Sequence, residues 1–224
     1  MRSAAVPLAL LLSACGSAGG SGIAPALWQH ATGGGAAAPA MTSAEAEAFP
    51  YPLLMVRGDG RGWQRMVLQS ATAGAGAPRL TWLSADRRAI ATIHGRIVAA
   101  AGSGAVLAGT LFQDPDPLAA PLAIPAEGVI WRRAVDIMGP GEAGDDRFGI
   151  PLDCRIVPTS RETVQVLDRS LDALRLEETC RGPGLSFAST FWVGVADGQV
   201  WRAEQWAGGD APVTFEVAKP PSAS

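Results

Sequence analysis

The sequence predicts an antiparallel all-β domain, a meander forming a sandwich or an incomplete barrel. Three observations carry this. A series of short apolar or alternating segments runs on from residue 53, and turns rich in Gly and Pro separate them. No helical segment recurs between them at the spacing a parallel βαβ sheet requires. Several segments alternate with period two, as half-buried strands do.

The expected strands run in order. Leu53 to Arg57 stops at a GDGRG turn, and Trp63 to Ala71 alternates until the AGAGAP loop. Arg79 to Ser84 and Arg88 to Ile93 flank the turn Ala85-Asp86-Arg87. His94-Gly95-Arg96 reads as a tight turn, because Gly adopts positive φ at no steric cost. Ile97 to Ala101 and Val106 to Phe112 follow, and the Pro-rich stretch DPDPLAAPLAIPAEG then interrupts the pattern. Val129 to Met138, Arg147 to Val157, Glu162 to Leu167 and Leu171 to Cys180 come next. Leu167 to Thr179 also fits a 3.6-residue period, and its alternation from Asp172 favours a strand. Phe187 to Val195, the Asp197-Gly198 hairpin signal, Gln199 to Trp206 and Val213 to Val217 complete the series.

Ahead of this domain lies a different kind of chain. Arg2 provides one positive charge and Ala4 to Leu12 a short apolar run, well below the roughly 20 residues of a spanning helix. Leu12-Ser13-Ala14-Cys15 then fits a lipobox, in which small residues enter the peptidase and the thiol accepts diacylglycerol. Residues 1–14 are therefore expected to be a lipoprotein signal peptide, with Cys15 the lipidated residue and the lipid the membrane anchor. Gly16, where an Asp would favour inner-membrane retention, points to the outer membrane and a periplasm-facing domain. Residues 15–48, rich in Gly and Ala, read as a flexible tether with an apolar island from Ile23 to Gln29. The β domain is expected over residues 49–219, and 220–224 as a disordered tail.

Charge and cysteine content narrow the function. The formal net charge is −3, and no basic run supplies a nucleic-acid footprint. Once Cys15 carries lipid, Cys154 and Cys180 remain as a pair in an oxidising compartment, which predicts a disulfide. Two cysteines alone cannot make a zinc site, and the only histidines are His30 and His94, so no metal and no cofactor are expected. Asp114, Asp116, Glu142, Asp145 and Asp146 lack the ordered ligand run of a calcium loop and read as solvated loop charges.

No nucleophile elbow, P-loop, dinucleotide fingerprint or HExxH motif is present. The expectation is a non-enzyme. An enzyme using carboxylates such as Glu204 on a periplasmic polysaccharide, and a structural envelope protein without ligand, are the alternatives. Seven Trp against one Tyr is the unusual feature of the composition. Exposed indoles on a sheet can stack on sugars, whereas buried ones are ordinary core. Trp201 and Trp206 have opposite parity, so one of them is expected at an edge or exposed.

Three stretches together resemble the YjbF/GfcB family, the group 4 capsule polysaccharide lipoproteins. They are Trp82-Leu83-Ser84 through Ala91-Thr92-Ile93-His94-Gly95-Arg96-Ile97-Val98, then Gly128 to Arg133 with Trp131 and Arg132, then Phe191-Trp192 through Asp197-Gly198-Gln199-Val200-Trp201-Arg202-Ala203-Glu204-Gln205-Trp206. The resemblance covers most of residues 50–218; Gly139 to Pro158 and the Cys154/Cys180 pair depart from it. It implies an antiparallel β lipoprotein of the outer membrane, accessory to exopolysaccharide or capsule secretion or assembly, with polysaccharide or secretion proteins as partners and no catalytic residues. The candidate binding residues are His94, Arg96, Trp201, Arg202, Glu204, Gln205 and Trp206.

Overall fold

The computed structural model describes residues 41–58, 60–74, 76–102, 106–139 and 146–222. Cys15, the signal segment, the apolar island, His30, Glu142 and Asp145 lie outside the described residues.

Among the described residues, twelve antiparallel strands form one sheet. They are β1 (Leu53–Arg57), β2 (Gln64–Thr72), β3 (Arg79–Ser84), β4 (Ala89–Ile93), β5 (Arg96–Ala101) and β6 (Val106–Phe112), followed by β7 (Val129–Met138), β8 (Arg147–Val166), β9 (Arg169–Gly182), β10 (Leu185–Gly194), β11 (Val200–Gln205) and β12 (Val213–Lys219). Their order is β5-β4-β3-β2-β1-β12-β11-β10-β9-β8-β7-β6. Two meanders, β1 to β5 and β6 to β12, thus join through the β1–β12 pair. The outermost strands, β5 and β6, are consecutive in the chain and lie against each other, so the sheet curls into a nearly closed barrel. Of the two expected architectures, the barrel is the one found.

Local sequence explains the corners. At the β4–β5 hairpin His94 has φ 50° and Gly95 φ 79°, the paired positive values of a tight primed turn. A Cβ on Gly95 would sit 2.5 Å from Val200 Cβ, so this turn also needs glycine to approach β11. The inward residues build one core, including Leu54, Met66, Trp82, Trp131, Leu152, Ile156, Leu176, Phe191 and Phe215. The Pro-rich stretch after β6 folds into two 3₁₀ turns, Pro117–Ala119 and Pro121–Ala123, and buries Leu118 in that core.

Several expectations need correction. The stretches expected as two strands, Arg147 to Val157 and Glu162 to Leu167, are one strand, β8, with a register shift between Pro158 and Ser160. Proline cannot donate to a ladder, and the shift accommodates it without ending the strand. Leu167, at φ 56°, starts the turn into β9.

The tether does not reach Ala48. Helix α1 (Ser43–Ala48) forms with a capping box, Thr42 and Glu45 satisfying each other's backbone N–H. Ala46 is buried with Leu53, Met55, Val67 and Ala218 in a second small core outside the barrel. The long β8–β9 hairpin bends over this outer face to meet the helix: the Ser43 N–H donates to Asp168 at 2.7 Å, and Leu167 N–H donates to Glu216 at 3.3 Å. At the other end, Pro220 and Pro221 are half-buried, so the ordered chain runs past the expected tail boundary.

Candidate functional site

The motifs separated in sequence converge inside the barrel. Arg96 opens β5 with its side chain pointing inward and is 1% exposed. Its Nε and Nη2 donate to the two carboxylate oxygens of Asp116 at 2.9 and 3.0 Å, the bidentate fork that guanidinium geometry favours. Asp116 caps the first 3₁₀ turn after β6, so this pair spans the β5/β6 seam. Arg96 Nη1 reaches Glu178 on β9 at 2.7 Å. Trp131 on β7 donates its indole N–H to the other Glu178 oxygen at 3.1 Å. Arg133, two residues along β7, lies 3.5 Å from Glu178 and also faces Cys180 Sγ at 3.5 Å.

Two guanidinium groups and two carboxylates balance, so the buried network is neutral. Isolated charges at this depth would be strongly unfavourable, and pairing offsets that cost. Burial works against the Arg96 charge, but the Asp116 and Glu178 carboxylates outweigh it and push its pKa above the ordinary value. Arg133 is placed less well. Burial dominates, Arg96 adds repulsion, and the pair with Glu178 compensates in part, leaving its pKa lowered to about 10. Aromatic rings also face both guanidiniums: Arg96 stands 4.5 Å from the Trp131 ring centroid and Arg133 5.7 Å from that of Phe187.

Cys154 and Cys180 occupy directly opposed positions on β8 and β9, with Cα atoms 4.1 Å apart, and form the expected disulfide. Their sulfurs and a Glu178 oxygen lie within 4.8 Å of one another, but the sulfurs are committed to each other. The network is thus built for structure: its carboxylates are held by arginines and shielded from solvent.

The candidate binding residues divide into five places. Arg96 is in the network. Gln205, also buried, points inward from β11: its oxygen accepts the Ile97 N–H at 2.9 Å, and its nitrogen donates to the Gly95 carbonyl at 2.7 Å. The HGR turn and the EQ pair are therefore bonded to each other. His94 lines a cavity of about 310 Å³ together with Leu54, Leu80, Trp82 and Phe215. Trp206 stacks on Phe187, with ring centroids 4.3 Å apart.

Trp201, Arg202 and Glu204 belong to the outer side. Trp201 donates to Asp197 at 3.0 Å and lies beneath the Arg169 guanidinium. Glu204 is exposed, and its cross-strand partners are Thr190 and Thr214, so no second carboxylate opposes it on either neighbouring strand. Arg202 sits 5.1 Å from the Trp192 ring and 3.7 Å from Glu216. Trp201 and Trp206 are both half-buried, and Trp206 lies just past the end of β11. Asp116 is likewise not a solvated loop charge, because Arg96 holds it in the interior.

Sequence reasoning missed Glu178, Arg133 and Asp116 as network members and Trp192 and Arg175 as outer-face residues. A signal for Glu178 exists. Leu176, Glu178 and Cys180 share the inward parity of β9, and a charge at a core position implies a buried partner.

A family model described as group 4 capsule polysaccharide lipoprotein (gfcB, YjbF) matches residues 22–217. Among solved structures, the hypothetical lipoprotein YmcC from Escherichia coli (K12) is similar, with TM-score 0.69 and 24% identity over 82% of this chain and 91% of that one. That likeness is one of fold. No curated protein matches.

Proposed function

The chain belongs to the family of group 4 capsule polysaccharide lipoproteins, and from that premise we propose a non-catalytic accessory role in exopolysaccharide or capsule secretion or assembly. In this reading the lipid on Cys15 holds the domain at the outer membrane, facing the periplasm, and the outer face of β9 to β11 contacts the polymer.

The observation that carries the polymer contact is an aligned row across three strands. Trp192 on β10 stands in register with Arg175 on β9 and Arg202 on β11. Both guanidiniums approach its ring, at 6.0 and 5.1 Å. Its indole N–H donates to Glu162 at 2.6 Å, which fixes the ring. Two guanidiniums held over a fixed ring suit an acidic saccharide, whose acid groups would meet the arginines. The enzyme reading through Glu204 has less support, because threonines rather than acids flank that residue.

Co-sedimentation of the full chain with the capsule or exopolysaccharide of its own host tests this. Wild type is expected to sediment with the polymer. A Trp192→Ala/Arg202→Ala double variant is expected to lose at least about tenfold in affinity. Equal sedimentation of wild type and variant would remove this face from the account.

A further inference from the structure

We propose that the cavity beside the His94–Gly95 turn is a binding site for an unbranched acyl chain. The cavity holds about 310 Å³, at the lower end of the roughly 300–1,000 Å³ range of small-molecule sites. A methylene group is close in size to a water molecule, whose share of liquid volume is about 30 Å³, so the space takes roughly ten carbons.

The lining selects the chemistry. Leu54, Leu80, Trp82, Leu118, Phe215 and Val217 form the walls, and among the described residues no Asp, Glu, Lys or Arg lines the cavity. Trp82 offers only its ring, because its N–H already donates to Thr92 at 3.0 Å. Thr92, His94 and Gln199 are the polar side chains among the lining residues. A saccharide would bring many hydroxyls, and a peptide would bring backbone N–H and C=O groups. The walls offer too few partners for either, and unpaired polar groups in an apolar site are costly. An acyl chain brings none, and its carboxyl or ester end can sit at half-exposed His94 and Gln199. This site is separate from the outer face of β9 to β11, so it stands or falls independently of polymer binding.

The test uses the full chain in phospholipid nanodiscs. In one arm the probe is decanoic acid with a terminal diazirine. In the other the diazirine is on a phospholipid acyl chain. After irradiation, label is mapped by peptide mass spectrometry. It is expected on the segments 80–92, 118–121 and 215–217, and the arm that labels them identifies a free acid or a membrane lipid as the source. Ala119, a lining residue at the exposed surface, allows a blocking variant that leaves the core intact. Ala119→Trp is expected to cut this labelling about tenfold with unchanged circular dichroism. Labelling that is spread over the outer strands, or that persists in Ala119→Trp, would overturn the proposal. So would labelling seen only after Leu27→Ser/Trp28→Ser, because the chain's own apolar island would then be the occupant.

Discussion

At the scale of single residues, Arg96 does the most. It joins the β5/β6 seam through Asp116 and reaches the opposite wall through Glu178. Removing one member of a buried ion network leaves the others charged and unpaired, which typically costs about 3–5 kcal/mol. Arg96→Met is therefore expected to lower the Tm by roughly 6–20 °C, at about 2–4 °C per kcal/mol for a domain of this size. Adding Asp116→Leu should restore part of that loss, because Glu178 keeps Arg133 and Trp131. Thermal unfolding of the two variants measures both effects. An Arg96→Met protein as stable as wild type would show that the network contributes nothing.

A second residue gives a pH signature. Burial raises the Asp86 pKa, but hydrogen bonds from Ser84 and Gln64 and the charge of Arg88 outweigh it and hold the carboxyl below its ordinary range. A depressed carboxyl contributes stability above its unfolded pKa and loses it as pH falls through the folded value. The stability gap between wild type and Asp86→Asn should hold constant down to about pH 5 and shrink below about pH 4. Denaturant unfolding across that range checks it.

At the scale of elements, the hairpin β8–β9 links the inside to the outside. Its base carries the disulfide and Glu178, and its tip bends over the outer face to Ser43 on α1. Closing a 26-residue separation constrains the unfolded chain by on the order of 3 kcal/mol. Cys154→Ala/Cys180→Ala is expected to lower the Tm by roughly 6–12 °C without changing the strand content seen by circular dichroism. A shift below about 2 °C would contradict it.

The strands were legible because each depends on local alternation and on turn residues. His94-Gly95 and Asp197-Gly198 marked two corners directly, and β1, β3, β6 and β7 have the expected bounds. The length of β8 was not legible, because Pro158 reads as a break unless the neighbouring strand is known to absorb it by a register shift. Helix α1 was hidden in a Gly- and Ala-rich background. Its capping box was written in Thr42 and Glu45, but its stability comes from burying Ala46 against strands distant in sequence. The candidate site was half legible. Arg96 and Gln205 were singled out as binding residues, yet parity sends both inward, where they hold the seam and the turn. Asp116 sits in a Pro-rich loop whose path no periodicity reveals.

At the scale of the molecule, the conspicuous family stretches bring structural groups together inside, while the outside carries the surface a partner can reach. The ring of strands positions the Arg175–Trp192–Arg202 row on one side and the apolar cavity at the His94 turn. Hydrogen–deuterium exchange of the full chain, with and without the host's purified polysaccharide, tests the central claim most directly. The account predicts slower exchange confined to β9, β10 and β11, with the polymer's length distribution unchanged after incubation. Unaltered exchange in those strands, or shortened polymer, would contradict it.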